Sequence, residues 1–147
     1  KSTIVNNLCG QGRAVTGNKA GVTRSKQWIK VDANIEFMDT PGVLLPTFED
    51  DAKAYNLAFV GSVRDDVINI VDVACKLIAR LMQIDEKILS TKYSVDISNY
   101  THDIELLERI DKKRGCMIKG GEIDTERTAK ILLTDFRAGK LGKICLE

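Results

Sequence analysis

The stretch Ile35-Glu36-Phe37-Met38-Asp39-Thr40-Pro41-Gly42 joins a short apolar run to an aspartate and a Pro-Gly pair. A strand ending in such an aspartate suits a metal–phosphate site, because the carboxylate can hold Mg²⁺ through a water molecule. Gly42 would let its backbone N–H come close to a terminal phosphate. Asp-x-Pro-Gly is also an ordinary turn signal, so this segment alone leaves both interpretations open.

The first three residues, Lys1-Ser2-Thr3, match the end of the phosphate-binding pattern G-x-x-x-x-G-K-[ST]. Ile4 and Leu8 follow at helical spacing, and Gly10 ends the run. In this pattern the lysine reaches the β- and γ-phosphates, and the next hydroxyl binds Mg²⁺. A chance tripeptide is the alternative. Because the glycines of the pattern are missing, we expect a C-terminal piece of a longer protein, or a preceding loop that was left out.

The segment between these two motifs predicts a loop followed by a hairpin. Residues 11–26 are rich in glycine, threonine and basic side chains and have no apolar period, which is typical of a surface loop. Within it, Thr23 is a candidate to close on Mg²⁺ and the γ-phosphate. Alternating polar and apolar residues predict a β-hairpin over 27–38, turning at Asp32-Ala33-Asn34. We expect Trp28 to pack rather than to contact a ligand.

The composition predicts a soluble cytoplasmic protein. Of the 147 residues, 44% are hydrophobic and 29% are charged, which permits a globular core. The net charge of +1 gives no general attraction to nucleic acid, so any basic surface must be local. The cysteines are far apart, as in reduced cytosolic proteins: Cys9, Cys75, Cys116 and Cys145. We expect neither a membrane nor DNA as a partner.

Three motifs in this order resemble the circularly permuted GTPases, and most closely the ribosome biogenesis GTPase A family. They are K-S-T at 1–3, T-G-N-x-x-G-V-T-R-S-x-Q-W-I-K-V at 16–31, and D-T-P-G-V-L-x-P at 39–46. The resemblance implies an α/β fold: a partial circularly permuted P-loop GTPase domain at 1–60, followed by a small all-α domain at 61–147. In this family the guanine-specific N-K-x-D motif precedes the P-loop, which agrees with its absence after Gly42.

The resemblance also implies cofactors and site residues. The cofactors are GTP or GDP and Mg²⁺, with K⁺ as a further candidate ion. The implied nucleotide-binding residues are Lys1, Ser2, Thr3, Thr23, Asp39 and Gly42, and three of these, Ser2, Thr23 and Asp39, are the metal residues. No catalytic residue is assigned, because Val43 stands where many GTPases have the glutamine that orients the attacking water. We therefore expect slow intrinsic hydrolysis. The resemblance further implies activation by the large ribosomal subunit. We expect no activity from this chain alone, because it lacks the P-loop glycines and the guanine-reading motif.

Beyond Pro46 the apolar periods predict a chain of helices. They cover 48–59, 67–81, 103–114 and about 125–138, with a short helix between 82 and 95. His102 is expected to have a surface or capping role at the start of the third. Lys112, Lys113 and Arg114 in the last turn of that helix are explained by its dipole.

One side of the last predicted helix is basic. At 100° per residue, Arg127, Lys130 and Arg137 fall within an arc of roughly 80°, and Lys140 and Lys143 continue the charge beyond Gly139. Such a face could contact a phosphate backbone or could simply be solvated. The segments 120–127 and 135–142 also resemble the C-terminal domain of the same family, which implies binding to rRNA.

The motif order and the family resemblance together imply a Mg²⁺- and GTP-dependent switch that assists late assembly of the large ribosomal subunit. Loss of the γ-phosphate would release residues 13–24 and 40–48. Two alternatives remain: a non-enzymatic module that binds RNA or protein, and a relative within the permuted family that serves another RNA particle.

Overall fold

A computed structural model describes residues 2–10, 26–39, 51–115 and 123–146. The chain divides into two compact units, residues 1–47 and 48–147, which we call the first unit and the helical unit. No helix in the described ranges is long and apolar enough to cross a bilayer.

The first unit contains a short helix and a β-hairpin. Helix α1 is Ser2–Cys9, and the strands are β1, Gln27–Asp32, and β2, Ile35–Asp39. The strands pair antiparallel, with Trp28 opposite Met38 and an irregularity between Lys30 and Asp32. Buried Ile29 packs against Cys9 of α1, so this side of the hairpin faces the helix. The antiparallel pairing of the two strands confirms the predicted hairpin and its turn.

Trp28 does not pack as expected. Its side chain lies on the opposite side of the hairpin from Ile29, since neighbouring strand residues point to opposite faces. It is 68% exposed, and its cross-strand neighbour Met38 is also exposed. The alternating pattern identified the strand correctly but could not tell which of its two faces would be covered.

Within its described ranges, the helical unit contains five α-helices and a 3₁₀ turn. The helices are α2, Asp51–Phe59; α3, Ile70–Ile84; α4, Lys87–Tyr93; α5, Asp103–Arg114; and α6, Thr125–Arg137. The 3₁₀ turn is Asp65–Val67. All the helices predicted after Pro46 are found, although residues 48–50, at the predicted start of the first, lie outside the described ranges.

Helix α3 lies at the centre of this unit and packs against α2, α4, α5 and α6. Its inward face is fully buried at Ala74, Leu77, Ile78 and Leu81. The surrounding helices supply Leu89, Leu106, Leu107, Ile110, Leu132 and Leu133, which are also fully buried. A polar pair crosses the same core, where the hydroxyl of Thr128 on α6 donates to the carboxylate of Asp111 on α5.

Local capping contacts fix the ends of α5 and the start of α6, and His102 has the capping position expected for it. His102 occupies the N-cap position of α5, and its backbone N–H donates to the Glu105 side chain at 3.2 Å. Gly115 ends α5 with a φ of +64°, a left-handed conformation that glycine adopts without strain. The carboxylate of Asp124 accepts from the backbone N–H of Arg127 at 2.9 Å and so caps α6.

The start of α3 differs from the prediction. The apolar period placed Val67 in this helix, but Val67 belongs to the 3₁₀ turn and is 66% exposed. The helix begins at Ile70 because the side chain of Asn69 accepts a hydrogen bond from the backbone N–H of Asp72 at 3.2 Å. This N-cap fixes the boundary three residues later than hydrophobic spacing alone suggested.

Replacing Asn69 by alanine is expected to cost about 1 kcal/mol of unfolding free energy, since an orphan N–H of α3 loses its partner. Urea unfolding followed by circular dichroism would measure the change. Asn69→Asp is the matched control, because it keeps an acceptor at the cap and should retain most of the stability. Equal losses in the two variants would contradict a capping role.

The unit boundary also differs from the sequence-based division at residue 60. The compact units separate between Thr47 and Phe48, which assigns α2 to the helical unit. The physical reason is burial: Ala58 and Phe59 at the end of α2 belong to the core built around α3. The connection between the units therefore precedes α2.

Candidate functional sites

The structure places two parts of the predicted nucleotide site. Helix α1 begins at Ser2, directly after Lys1, and Thr3 in its first turn is exposed. Strand β2 ends at Asp39, which is opposite Gln27 in the sheet register. Helix α1 packs against both strands, so one small unit carries the helix start and the strand end. A helix N-terminus is suited to phosphate, because its first N–H groups are unpaired.

The remaining parts of that site lie outside the described residues. These parts are Lys1, Thr23, Gly42 and Val43, together with the side chains of Ser2 and Asp39. Within the described ranges, no three His, Cys, Asp or Glu side chains cluster as metal ligands would. The assignments at these positions therefore stay predictions.

The basic face predicted on α6 forms part of a groove in the helical unit. The groove has a volume of about 490 Å³ and lies between the end of α5 and α6. Its lining residues are Arg114, Arg127, Lys130, Ile131, Thr134 and Asp135. We call it the α5–α6 groove. Lys130 pairs with Glu126 one turn earlier at 3.1 Å, and both side chains remain well exposed. Among the described residues, none hydrogen-bonds or ion-pairs with the guanidinium of Arg127, whose bond to Asp124 is donated by the backbone N–H.

Arg114 enters the α5–α6 groove from the neighbouring helix, although the sequence suggested only a dipole role for it. Its guanidinium lies over the ring of Tyr93, 5.5 Å from the centroid, and bonds to Asp135 at 3.2 Å. Its side chain is still 39% exposed. The basic run at the end of α5 was the available signal, but sequence alone could not show that α6 passes beside it.

Arg137 was predicted to belong to the basic face, but its guanidinium is bound within the helical unit. Its Nε donates to the carbonyl of Phe59 at 3.0 Å, and its Nη2 donates to the carbonyl of Ala58 at 2.8 Å. Both terminal nitrogens also bind the carboxylate of Asp65 at 2.8 Å. The guanidinium therefore closes the C-terminus of α2, whose last carbonyls have no partner within the helix. Only 24% of the side chain is exposed, which leaves little of it for an external phosphate.

Gly61 makes room for this arginine. A Cβ atom at Gly61 would lie 3.1 Å from the Nε of Arg137, and the φ of +73° is one that other residues rarely adopt. The glycine that follows α2 thus permits the close approach of α6. The hydrogen bond from Arg137 holds the pKa of Asp65 below its usual value, although partial burial acts in the opposite direction.

Asp135 is a buried carboxylate that receives three hydrogen bonds. The donors are the hydroxyl of Tyr93 at 3.2 Å, Arg114 at 3.2 Å and Lys140 at 3.0 Å. Burial by itself would raise the pKa of Asp135, but the bonds from Lys140 and Tyr93 and the two positive charges lower it overall. Burial, followed by the nearby Asp135 charge, raises the pKa of Tyr93. Lys140, which the sequence placed in the basic tail, thus has an internal partner, whereas Lys143 is exposed.

Acid pH is expected to weaken the helical unit through Asp135. Its folded-state pKa lies below the ordinary value of about 3.9. Its stabilising contribution is therefore complete above about pH 5 and is lost as the pH falls through the folded-state pKa. Urea unfolding at pH 7 and pH 3 should show a larger loss for the wild type than for Asp135→Asn, which cannot titrate. A variant that loses as much as the wild type would contradict this role.

Comparisons with known proteins bear on both sites. A family model described as 50S ribosome-binding GTPase matches residues 1–112. Ribosome biogenesis GTPase A from Bacillus cereus is 39% identical over 148 residues, covering 100% of this chain and 49% of that protein. The chain spans about half the length of the curated relatives it matches.

Solved structures give a similar result. The GDP-bound structure of TM YlqF matches with a TM-score of 0.61 and 26% identity, over 100% of this chain and 55% of that one. GNP-bound YlqF from T. maritima matches with a TM-score of 0.58 and 27% identity, over 100% of this chain and 54% of that one. The first of these solved proteins is bound to GDP and the second to GNP.

Proposed function

Because the chain belongs to the 50S ribosome-binding GTPase family, we propose that its parent protein is a Mg²⁺- and GTP-dependent switch that assists late assembly of the large ribosomal subunit. The observation that carries this proposal is the family match over residues 1–112. The predicted resemblance to ribosome biogenesis GTPase A is confirmed. The predicted fold class, a partial α/β GTPase domain followed by helices, is confirmed as well.

In this proposal, the first unit holds the phosphates and the metal. Lys1 steadies the β- and γ-phosphates, beside the N–H groups at the start of α1. Ser2 and Thr23 are the hydroxyl ligands of Mg²⁺, and Asp39 holds the water shell of the ion. Gly42 detects the γ-phosphate through its backbone N–H. The start of α1 at Ser2 and the end of β2 at Asp39 support these roles, since both are the positions where such a site needs them.

The proposed site has the residues to bind GTP but is expected to hydrolyse it slowly. An aliphatic side chain at Val43 cannot orient water, so we propose that hydrolysis depends on a group from outside these residues. The large ribosomal subunit is the proposed activator. A direct test measures GTP hydrolysis by the full-length protein with purified large and small subunits. If large subunits stimulate hydrolysis, the proposal is supported. If only small subunits stimulate it, the alternative is favoured, in which the protein acts on another RNA particle.

The helical unit is the proposed contact with rRNA. Arg127 and Lys130 in the α5–α6 groove, and the exposed Lys143, supply positive charge for phosphates. Lys140 keeps much of its side chain exposed while it binds Asp135, so it can serve as well. Arg137 is left out of this set because its guanidinium is bound within the unit. The proposed location of the protein is the cytoplasm.

An RNA- or protein-binding module without enzymatic activity is the second candidate. The basic α5–α6 groove favours it, because this groove belongs entirely to the helical unit. Titration of a fluorescent GTP analogue against residues 1–147 and against the full-length protein separates the two candidates. We expect Mg²⁺-dependent binding by the full-length protein and little by residues 1–147. Absence of binding by both would favour the module.

A further inference from the structure

A second basic groove adjoins the one between α5 and α6. It has a volume of about 410 Å³ and lies between α4 and the segment that follows α6. We call it the α4 groove. Its lining residues are Asp85, Lys87, Ile88, Thr91, Lys92, Lys140, Leu141 and Gly142. Lys87 and Lys92 are exposed, and neither was singled out by the sequence patterns.

The two grooves meet at Asp135. This residue lines the α5–α6 groove, and its Oδ1 accepts a hydrogen bond at 3.0 Å from Lys140, which lines the α4 groove. Its Oδ2 accepts from Arg114 of the α5–α6 groove at 3.2 Å. A single buried carboxylate therefore holds one cation of each groove in place.

Both cations keep donors for an external ligand. Lys140 is 56% exposed and has three N–H groups, while partly exposed Arg114 has five. Six cationic side chains and two acidic ones line the two grooves, and Glu126 pairs with one of the cations, Lys130, whereas the net charge of the whole chain is only +1. One of those acids, Asp135, is already bound to Tyr93, Arg114 and Lys140. The surface therefore concentrates positive charge that the rest of the chain does not have.

We propose that Lys87 and Lys92 of α4 extend the RNA-binding surface, so that one RNA contacts the α4 groove and the α5–α6 groove with successive backbone phosphates. This inference rests on the proposed binding of rRNA by the helical unit. A small anion would need one groove only, whereas a polymer with a charge on every unit gains from two adjoining basic grooves. The hydroxyl of Thr91 in the α4 groove adds a donor for a phosphate oxygen, whereas the hydroxyl of Thr134 already donates to the carbonyl of Lys130 at 2.7 Å.

The test is the salt dependence of RNA binding. Full-length protein, with nucleotide held constant, is titrated against deproteinised large-subunit rRNA at several KCl concentrations. Each lost phosphate contact reduces the slope of log K against log salt by about 0.7 to 0.9. We expect Lys87→Gln with Lys92→Gln to reduce the slope by about 1.5 and to weaken binding at least tenfold at low salt.

The matched control removes two lysines elsewhere in the helical unit. Lys53 and Lys76 are exposed and line neither groove, so Lys53→Gln with Lys76→Gln should leave the slope nearly unchanged. A third variant, Arg127→Gln with Lys130→Gln, tests the α5–α6 groove alone. Circular dichroism and nucleotide affinity show that each variant is folded.

The outcomes separate this inference from the function on which it depends. A lower slope in the α4 variant, with an unchanged slope in the control, supports the inference. If the Arg127/Lys130 variant loses slope while the α4 variant behaves like the control, the inference is overturned and rRNA binding stands. If the wild type does not bind this rRNA, the proposed RNA contact itself is overturned.

Discussion

Replacing Arg137 by alanine is expected to destabilise the helical unit by about 2–4 kcal/mol. The substitution removes the side-chain donor to the carbonyl of Phe59 and one of the two donors to the carbonyl of Ala58, which keeps the backbone N–H of Gly61 at 3.1 Å. It also leaves the carboxylate of Asp65 without its guanidinium. That ion pair is partly exposed and contributes less than the two carbonyl contacts. Urea unfolding of the full-length protein, followed by a probe in the helical unit, would measure the loss.

Arg127→Ala is the matched control for this prediction. It removes an arginine from the same helix, but none of the described residues bonds to that guanidinium. Its effect on stability should stay within about 0.5 kcal/mol. The effects on RNA binding should be the opposite. Arg127→Ala should lower the slope of log K against log salt, whereas Arg137→Ala should leave this slope unchanged under conditions in which the variant is folded. A stable Arg137→Ala variant with a reduced slope would restore Arg137 to the RNA-binding set.

Replacing Asp39 by asparagine in the full-length protein is expected to lower GTP hydrolysis by about 100-fold or more at millimolar Mg²⁺. The proposed reason is electrostatic, because the carboxylate holds the water shell of the ion that bridges the β- and γ-phosphates. Asparagine preserves size but removes the charge. Hydrolysis in the presence of large subunits, measured across a Mg²⁺ titration, would show both the reduced rate and a higher Mg²⁺ requirement.

Glu36→Gln supplies the control for this substitution. Glu36 is an exposed acid on the same strand, three residues before Asp39, so its loss changes the local charge by the same amount. We expect its rate and Mg²⁺ requirement to match those of the wild type. If the two variants behave alike, Asp39 has no special role and the ordinary turn interpretation of Asp39–Gly42 is favoured.

Helix ends were predictable where a cap has a local signature. His102 lies at the start of α5 and α6 ends before Gly139, as expected. The start of α3 was missed because the apolar period was extended back to Val67. Asn69 was the local signal for the true boundary, since its side chain bonds to the N–H three residues on.

Partners across the fold were not predictable in the same way. At 100° per residue, Arg137 lies only about 40° from buried Leu133 on α6, so it sits at the edge of the core and not at the centre of the basic face. Whether such an edge residue meets solvent or another helix depends on where α2 ends. The same limit explains Arg114, whose role depends on the passage of α6 beside α5.

The most direct test of the proposed switch compares two nucleotide states on the same partner. Full-length protein is sedimented with large-subunit particles in the presence of a non-hydrolysable GTP analogue or of GDP, and the two dissociation constants are compared. A switch with a coupling free energy of about 1–3 kcal/mol predicts at least about fivefold tighter binding in the GTP-analogue state. Equal affinities in the two states would contradict it.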